Sequence, residues 1–153
     1  MQTFIAYFDG CCEPINPGGT MGFGAIVTVN GNIIWQARGV SQPDDEHGQT
    51  SNNLAEYAGL LALLDYFIEA GLADTEIEVR SDSKLVIEQM AGRWNIGNGI
   101  YVQAAHKARE LAARFTSLHF QWIPRAENNL ADELSKSELI KRGVEINLHR
   151  RRA

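Results

Sequence analysis

The chain has 153 residues and a mass of 17.0 kDa, enough for one domain with a hydrophobic core that needs no staples. It is 44% hydrophobic and 22% charged, and its best apolar run, 58–64, falls well short of the roughly 20 residues of a membrane helix. The formal net charge of −5, from 14 Lys+Arg against 19 Asp+Glu, argues against a simple basic nucleic-acid binder.

The first third reads as three strands, at 3–8, 22–29 and 32–39. The first ends at Asp9-Gly10, and a Gly- and Pro-containing loop follows, holding Cys11, Cys12 and Asn16. Asn30-Gly31 is a strong hairpin signal, because a type I′ turn needs two positive φ angles. Residues 41–51 are polar and acidic, a loop. The hydrophobic period then changes to three and four, from Leu54 through Ile68, which predicts an amphipathic helix ending near Gly71. A short strand at 76–80, helices at 83–90 and 101–115, a strand at 117–123 and a last helix at 128–142 complete the order. Residues 143–153 form a tail ending in Arg150-Arg151-Arg152. The order β-β-β-α-β-α-α-β-α implies an α/β fold, a five-stranded mixed sheet covered by helices, in one domain over 1–142.

Cys11 and Cys12 are adjacent and suit free thiols in a reducing compartment better than a strained disulfide. The N-terminus lacks a basic region followed by an apolar stretch, so no secretion signal is expected. A cytoplasmic monomer with no membrane contact is the expectation.

Four carboxylates sit where strands or loops meet helices. Asp9 ends the first strand, Glu56 lies in the first turn of the first helix, Asp82 follows the fourth strand, and Asp132 opens the last helix. Each has a bland account. Asn53-x-x-Glu56 reads as a capping box, Asp82 and Asp132 suit helix N-termini, and Asp9-Gly10 suits a turn. Together they mean more. Strand ends and helix starts share one rim of an α/β sheet. Clustered carboxylates repel one another unless a cation is present, and hard divalent ions prefer oxygen ligands. Two such ions roughly 4 Å apart suit an in-line phosphoryl displacement.

Four motifs in order resemble those of the type 1 ribonuclease H family. They are Phe8-Asp9-Gly10 with Asn16-Pro17-Gly18-Gly19; Ser51-Asn52-Asn53-Leu54-Ala55-Glu56-Tyr57; Ser81-Asp82-Ser83-Lys84; and Trp122-Ile123-Pro124-Arg125 through Asn128-Asn129-Leu130-Ala131-Asp132. The resemblance implies the ribonuclease H-like fold with helices on both faces of the sheet. It implies an endonuclease that cuts the RNA strand of an RNA–DNA hybrid, leaving 3′-hydroxyl and 5′-phosphate ends. It also implies two Mg²⁺ or Mn²⁺ ions on Asp9, Glu56, Asp82 and Asp132. By the same resemblance, Asn16, Asn52 and Asn53 contact sugars and the minor groove, where short neutral donors read 2′-hydroxyls. Ser51 matches a Thr or Ser position that helps hold a DNA phosphate. N-capping is the competing role for the asparagines, and the two roles are compatible.

Two departures stand out. Many members carry a basic, Trp-containing handle between the two middle helices, whereas here Trp94 runs through a Gly/Asn segment into the next helix and only Arg93 is basic. Many also place a His in the loop before the last helix. Here the loop reads Pro124-Arg125-Ala126-Glu127-Asn128, so proton handling or product release passes to Arg125 or Glu127. The pattern is that of the archaeal-like branch and raises activity on double-stranded RNA. Lys84 and Trp94 are candidate substrate contacts; Trp35 and Trp122 read as core or rim aromatics, and His47, His106, His119 and His149 as surface residues. A non-catalytic binding module would have an incomplete acid set, and a junction resolvase or integrase would lack reason for the asparagines. The charge is also uneven: Arg38 and Arg80 face twelve acids in 1–83, while the other twelve bases face seven acids in 84–153.

Overall fold

The structure is a computed structural model that describes residues 2–42 and 48–147. The elements are β1 (Thr3–Glu13), β2 (Thr20–Val29), β3 (Asn32–Ser41), α1 (Asn52–Glu69), β4 (Glu76–Ser81), α2 (Lys84–Met90), α3 (Val102–Ala112), β5 (Ser117–Trp122) and α4 (Asn129–Lys141). A short 3-10 turn, Arg125–Glu127, precedes α4. The sheet order is β3-β2-β1-β4-β5, with β1–β2 and β2–β3 antiparallel and β1–β4 and β4–β5 parallel.

The hairpin between β2 and β3 turns at Asn30 (φ 52) and Gly31 (φ 79), the two positive angles its sequence requires. Along β1 the side chains alternate. Phe4, Ala6, Phe8 and Cys12 join the main core, with Leu54, Leu60, Leu63, Leu64 and Phe67 of α1. Cys11 points the other way, and its thiol donates to the Ser135 carbonyl in α4 at 3.3 Å. Helices therefore cover both faces, α1 one and α4 the other. Both cysteines are buried.

β1 does not stop at Asp9. It runs to Glu13 because β2 pairs with it the whole way, from Phe4↔Val29 to Glu13↔Thr20. Cys11 and Cys12 are thus strand residues, not loop residues. What ends before Asp9 is the parallel pairing with β4, whose last pair is Tyr7↔Arg80.

Residues 91–101 join α2 to α3 with no helix between them. A buried polar hub fixes that connection. Tyr57 Oη donates to Gln89 Oε1 at 2.6 Å, and Gln89 Nε2 donates to the Asn95 carbonyl and Tyr101 Oη, both at 3.1 Å. Burial first, and Tyr101 second, push the Tyr57 hydroxyl up, so it remains a donor. After α4 the chain turns at Gly143 (φ 80), where Val144 N–H caps the Leu139 carbonyl at 2.9 Å. No helix among the described residues is long and apolar enough to cross a membrane. His47 and His149 and the Arg150–Arg152 run lie outside the described residues.

Candidate active site

Asp9 stands opposite Gly24 of β2, past the last β4 partner, and is 2% exposed. Its Oδ1 accepts the Gly10 N–H at 2.9 Å. Where β4 ends, the Ser81 hydroxyl donates to the Phe8 carbonyl at 2.9 Å and accepts the Ser83 N–H at 3.1 Å. This tie sets the chain carrying Asp82 beside the residue before Asp9.

Glu56 reaches the same segment from the other face. At Gly10 a Cβ would fall inside the contact radius of the Ala55 carbonyl carbon and the Glu56 nitrogen, so backbone rests on backbone there. Glu56 is the fifth residue of α1, not a first-turn residue, and the expected capping box is not formed. Ser51 is the cap instead, its hydroxyl accepting the Leu54 N–H at 3.1 Å.

Asp82 and Asp132 meet through Asn128. The Asn128 amide nitrogen donates to the Phe8 carbonyl at 2.9 Å and to Asp82 Oδ1 at 2.7 Å. Its carbonyl accepts the Asp132 N–H at 3.0 Å. Asp132 lies in the first turn of α4, as its sequence position suggests, and its Oδ2 pairs with Lys136 Nζ at 3.0 Å. Asp82 does not cap α2; Ser83 occupies that position.

Beside the acids lies a polar edge. Asn16 Oδ1 accepts the Asn52 N–H at 2.9 Å, and Asn52 Oδ1 accepts the Cys12 N–H at 2.7 Å. Both amides use their oxygen to knit the loop onto α1, which leaves their NH₂ groups as donors. Asn53 is half-buried in the first turn of α1. Lys84 Nζ sits 5.4 Å from the centre of the Trp122 ring, and the Trp122 indole N–H donates to the Asp82 carbonyl at 3.2 Å. Trp122, 39% exposed, is therefore a neighbour of a candidate acid rather than a bystander. Trp94 is 43% exposed in the 91–101 connection. Arg93 beside it is forked onto Glu88 at 2.7 and 2.8 Å, which holds the Glu88 carboxyl below its usual range. Arg125 is exposed on the short turn whose carbonyl accepts the Asn128 N–H at 2.9 Å.

Sequence reasoning quoted Asn128 inside a motif and gave it no role, because an Asn before a helix reads as a cap. Trp122 was missed because alternation in β5 does not reveal which aromatic borders Asp82. The donor set, four carboxylates and the buried Asn128 Oδ1 with no protein partner, is all oxygen and suits a hard divalent cation. Among the described residues no three Asp, Glu, His or Cys side chains are close enough to form a preassembled metal cage.

The family described as Reverse transcriptase-like matches residues 7–138. LC11-RNase H1, solved in complex with an RNA/DNA hybrid, superimposes with a TM-score of 0.76 at 32% identity, over 88% of this chain and 94% of that one. The chain belongs to the type 1 ribonuclease H family. Among curated relatives, the bifunctional protein Rv2228c of Mycobacterium tuberculosis is 37% identical over 125 residues, covering 81% of this chain. Ribonuclease HI of Halobacterium salinarum is 35% identical over 134 residues, covering 88% of this chain. The chain spans 32% of the mycobacterial protein's length and 63% of the haloarchaeal one's. The stretch that matches the Reverse transcriptase-like family model, 7–138, contains Asp9, Glu56, Asp82 and Asp132 alike.

Proposed function

We propose that this chain is an endonuclease that hydrolyses the RNA strand of RNA–DNA hybrids with two bound Mg²⁺ or Mn²⁺ ions, leaving 3′-hydroxyl and 5′-phosphate ends. The observation that carries the reading is that the segments bearing the four acids, in β1, α1, the end of β4 and α4, meet around Phe8-Asp9-Gly10. The hybrid bound by LC11-RNase H1 supports the substrate class.

Asp9, Glu56, Asp82 and Asp132 would hold the ions. Bound there, the ions would supply an activated water and charge neutralisation at the leaving oxygen. The half-buried Glu56 carboxylate also accepts a hydrogen bond from the 2′-hydroxyl beside the scissile phosphate, a group only RNA offers. The NH₂ groups of Asn16 and Asn52, and the Asn53 side chain, donate to minor-groove sugars and bases. Ser51, already a cap, helps hold a phosphate of the DNA strand. Lys84 and Trp94 meet the backbone of that strand. Arg125 or Glu127, in the turn before α4, takes over the product release or proton handling that a loop His serves elsewhere. The short 91–101 connection, its one base tied to Glu88, supports membership in the handle-less, archaeal-like branch. Double-stranded RNA presents the same 2′-hydroxyl-lined groove and is the second substrate to try.

The test is an end-labelled panel of RNA–DNA, RNA–RNA and DNA–DNA duplexes, each without metal, with Mg²⁺ and with Mn²⁺. Internal cuts in the RNA strand of the hybrid, only when metal is present and with 5′-phosphate products, are expected. A hybrid left intact with both metals contradicts the reading.

A further inference from the structure

Asn128 occupies the N-cap position of α4, yet its side chain makes no capping bond. An Asn there ordinarily turns its amide oxygen onto the free N–H groups of the first turn. Here the amide is turned away from the helix. Both protons of Nδ2 are used, one on the Phe8 carbonyl at 2.9 Å and one on Asp82 Oδ1 at 2.7 Å. The backbone of Asn128 is used as well, its N–H on the Arg125 carbonyl at 2.9 Å and its carbonyl by the Asp132 N–H at 3.0 Å. The residue is 2% exposed, and its Oδ1 is a buried acceptor with no protein partner. A buried orphan acceptor and a forgone cap are both unfavourable, so stability alone does not select this arrangement. The chemistry is also specific. An acid in this place would set a second carboxylate against Asp82, and an apolar residue would leave Asp82 Oδ1 and the Phe8 carbonyl without this donor.

We infer that Asn128 is a positioning residue, which fixes Asp82 against the strand carrying Asp9 and sets the start of α4, with Asp132, at the same point. In that role its neutral amide would orient carboxylates for a divalent ion, and its unpartnered Oδ1 adds a buried oxygen acceptor beside them. This rests on the metal-dependent reading above and adds a residue to it.

The experiment is Mn²⁺ binding, followed by the EPR signal of free Mn²⁺, to the folded wild-type chain and to Asn128→Ala, Asn128→Leu and Asp9→Asn. Leu keeps the side-chain volume, so it separates a lost donor from a cavity. Circular dichroism verifies folding of each. Loss of an orienting partner of a metal ligand typically lowers affinity about ten- to a hundredfold. Both Asn128 variants are expected to show that weakening while folded. Hybrid turnover should fall with the KM for hybrid little changed, since Asn128 is buried and away from the groove-reading amides. Wild-type Mn²⁺ affinity in folded Asn128→Leu, with binding lost in Asp9→Asn, overturns the inference and leaves the metal reading standing. No Mn²⁺ binding by the wild-type chain overturns both.

Discussion

The two sides of β1 deliver their acids by different means. On the α1 side, Glu56 is placed by steric contact, because the helix backbone lies directly on Gly10 and no side chain intervenes. On the α4 side, Asp82 and Asp132 are placed by directed hydrogen bonds through Ser81 and Asn128, all converging on the Phe8 carbonyl or its neighbours. A steric seat is unforgiving in shape but indifferent to chemistry. A hydrogen-bonded seat tolerates shape and depends on which atoms donate. The two halves of the site should therefore fail differently when altered.

The sharpest way to break the steric half is Gly10→Ala. The added methyl meets backbone atoms that have no rotamer to yield, so the loss in unfolding free energy should be about 3 kcal/mol or more. Urea denaturation measures it, and a loss under about 1 kcal/mol means that the α1 contact is softer than described. Ser81→Ala probes the other half with a smaller expected effect. It removes two buried hydrogen bonds without adding volume, and the same titration should show a loss of about 1–3 kcal/mol. A larger loss than that of Gly10→Ala would invert the comparison. The smallest effect concerns the grip on substrate. Arg93, the one base of the 91–101 connection, is tied to Glu88, and Lys136 is tied to Asp132, so neither is a ready phosphate contact. With roughly three or four phosphate contacts, log affinity for hybrid should fall against log salt with a slope of about −3. A slope near −8 would reveal a basic clamp that the short 91–101 connection does not supply.

Much of this was legible in the sequence. Three strand-like runs within 3–39, period three-to-four from Leu54 to Ile68, and Asn30-Gly31 gave the element order and the hairpin. The family followed from four motifs whose order the fold preserves. The end of β1 was not legible, because Asp9-Gly10 looks like a turn locally. Only the pairing with β2 carries the strand on to Glu13. The α1 cap was also misread. Asn53 and Glu56 have the spacing of a capping box, but Ser51 lies closer to the helix start and Asn52 is drawn off to the Cys12 N–H. Asn128 was hidden for a deeper reason. Its local sequence announces a helix cap, and its partners, Phe8 and Asp82, lie 120 and 46 residues away. The excess acidity of the first half also gains a meaning, since Asp9, Glu56 and Asp82 are the proposed seats for cations.

The central claim is that Asp9, at the meeting point of the two sides, holds the ions that cut RNA. Single-turnover cleavage of an RNA–DNA hybrid by Asp9→Asn in Mg²⁺ tests it most directly. The side chain keeps its size and loses its charge, so the melting temperature should stay close to that of the wild type. The rate should fall by a factor on the order of 10³ or more, several kcal/mol of transition-state stabilisation. Cleavage within about tenfold of the wild-type rate, in a folded variant, would contradict the account.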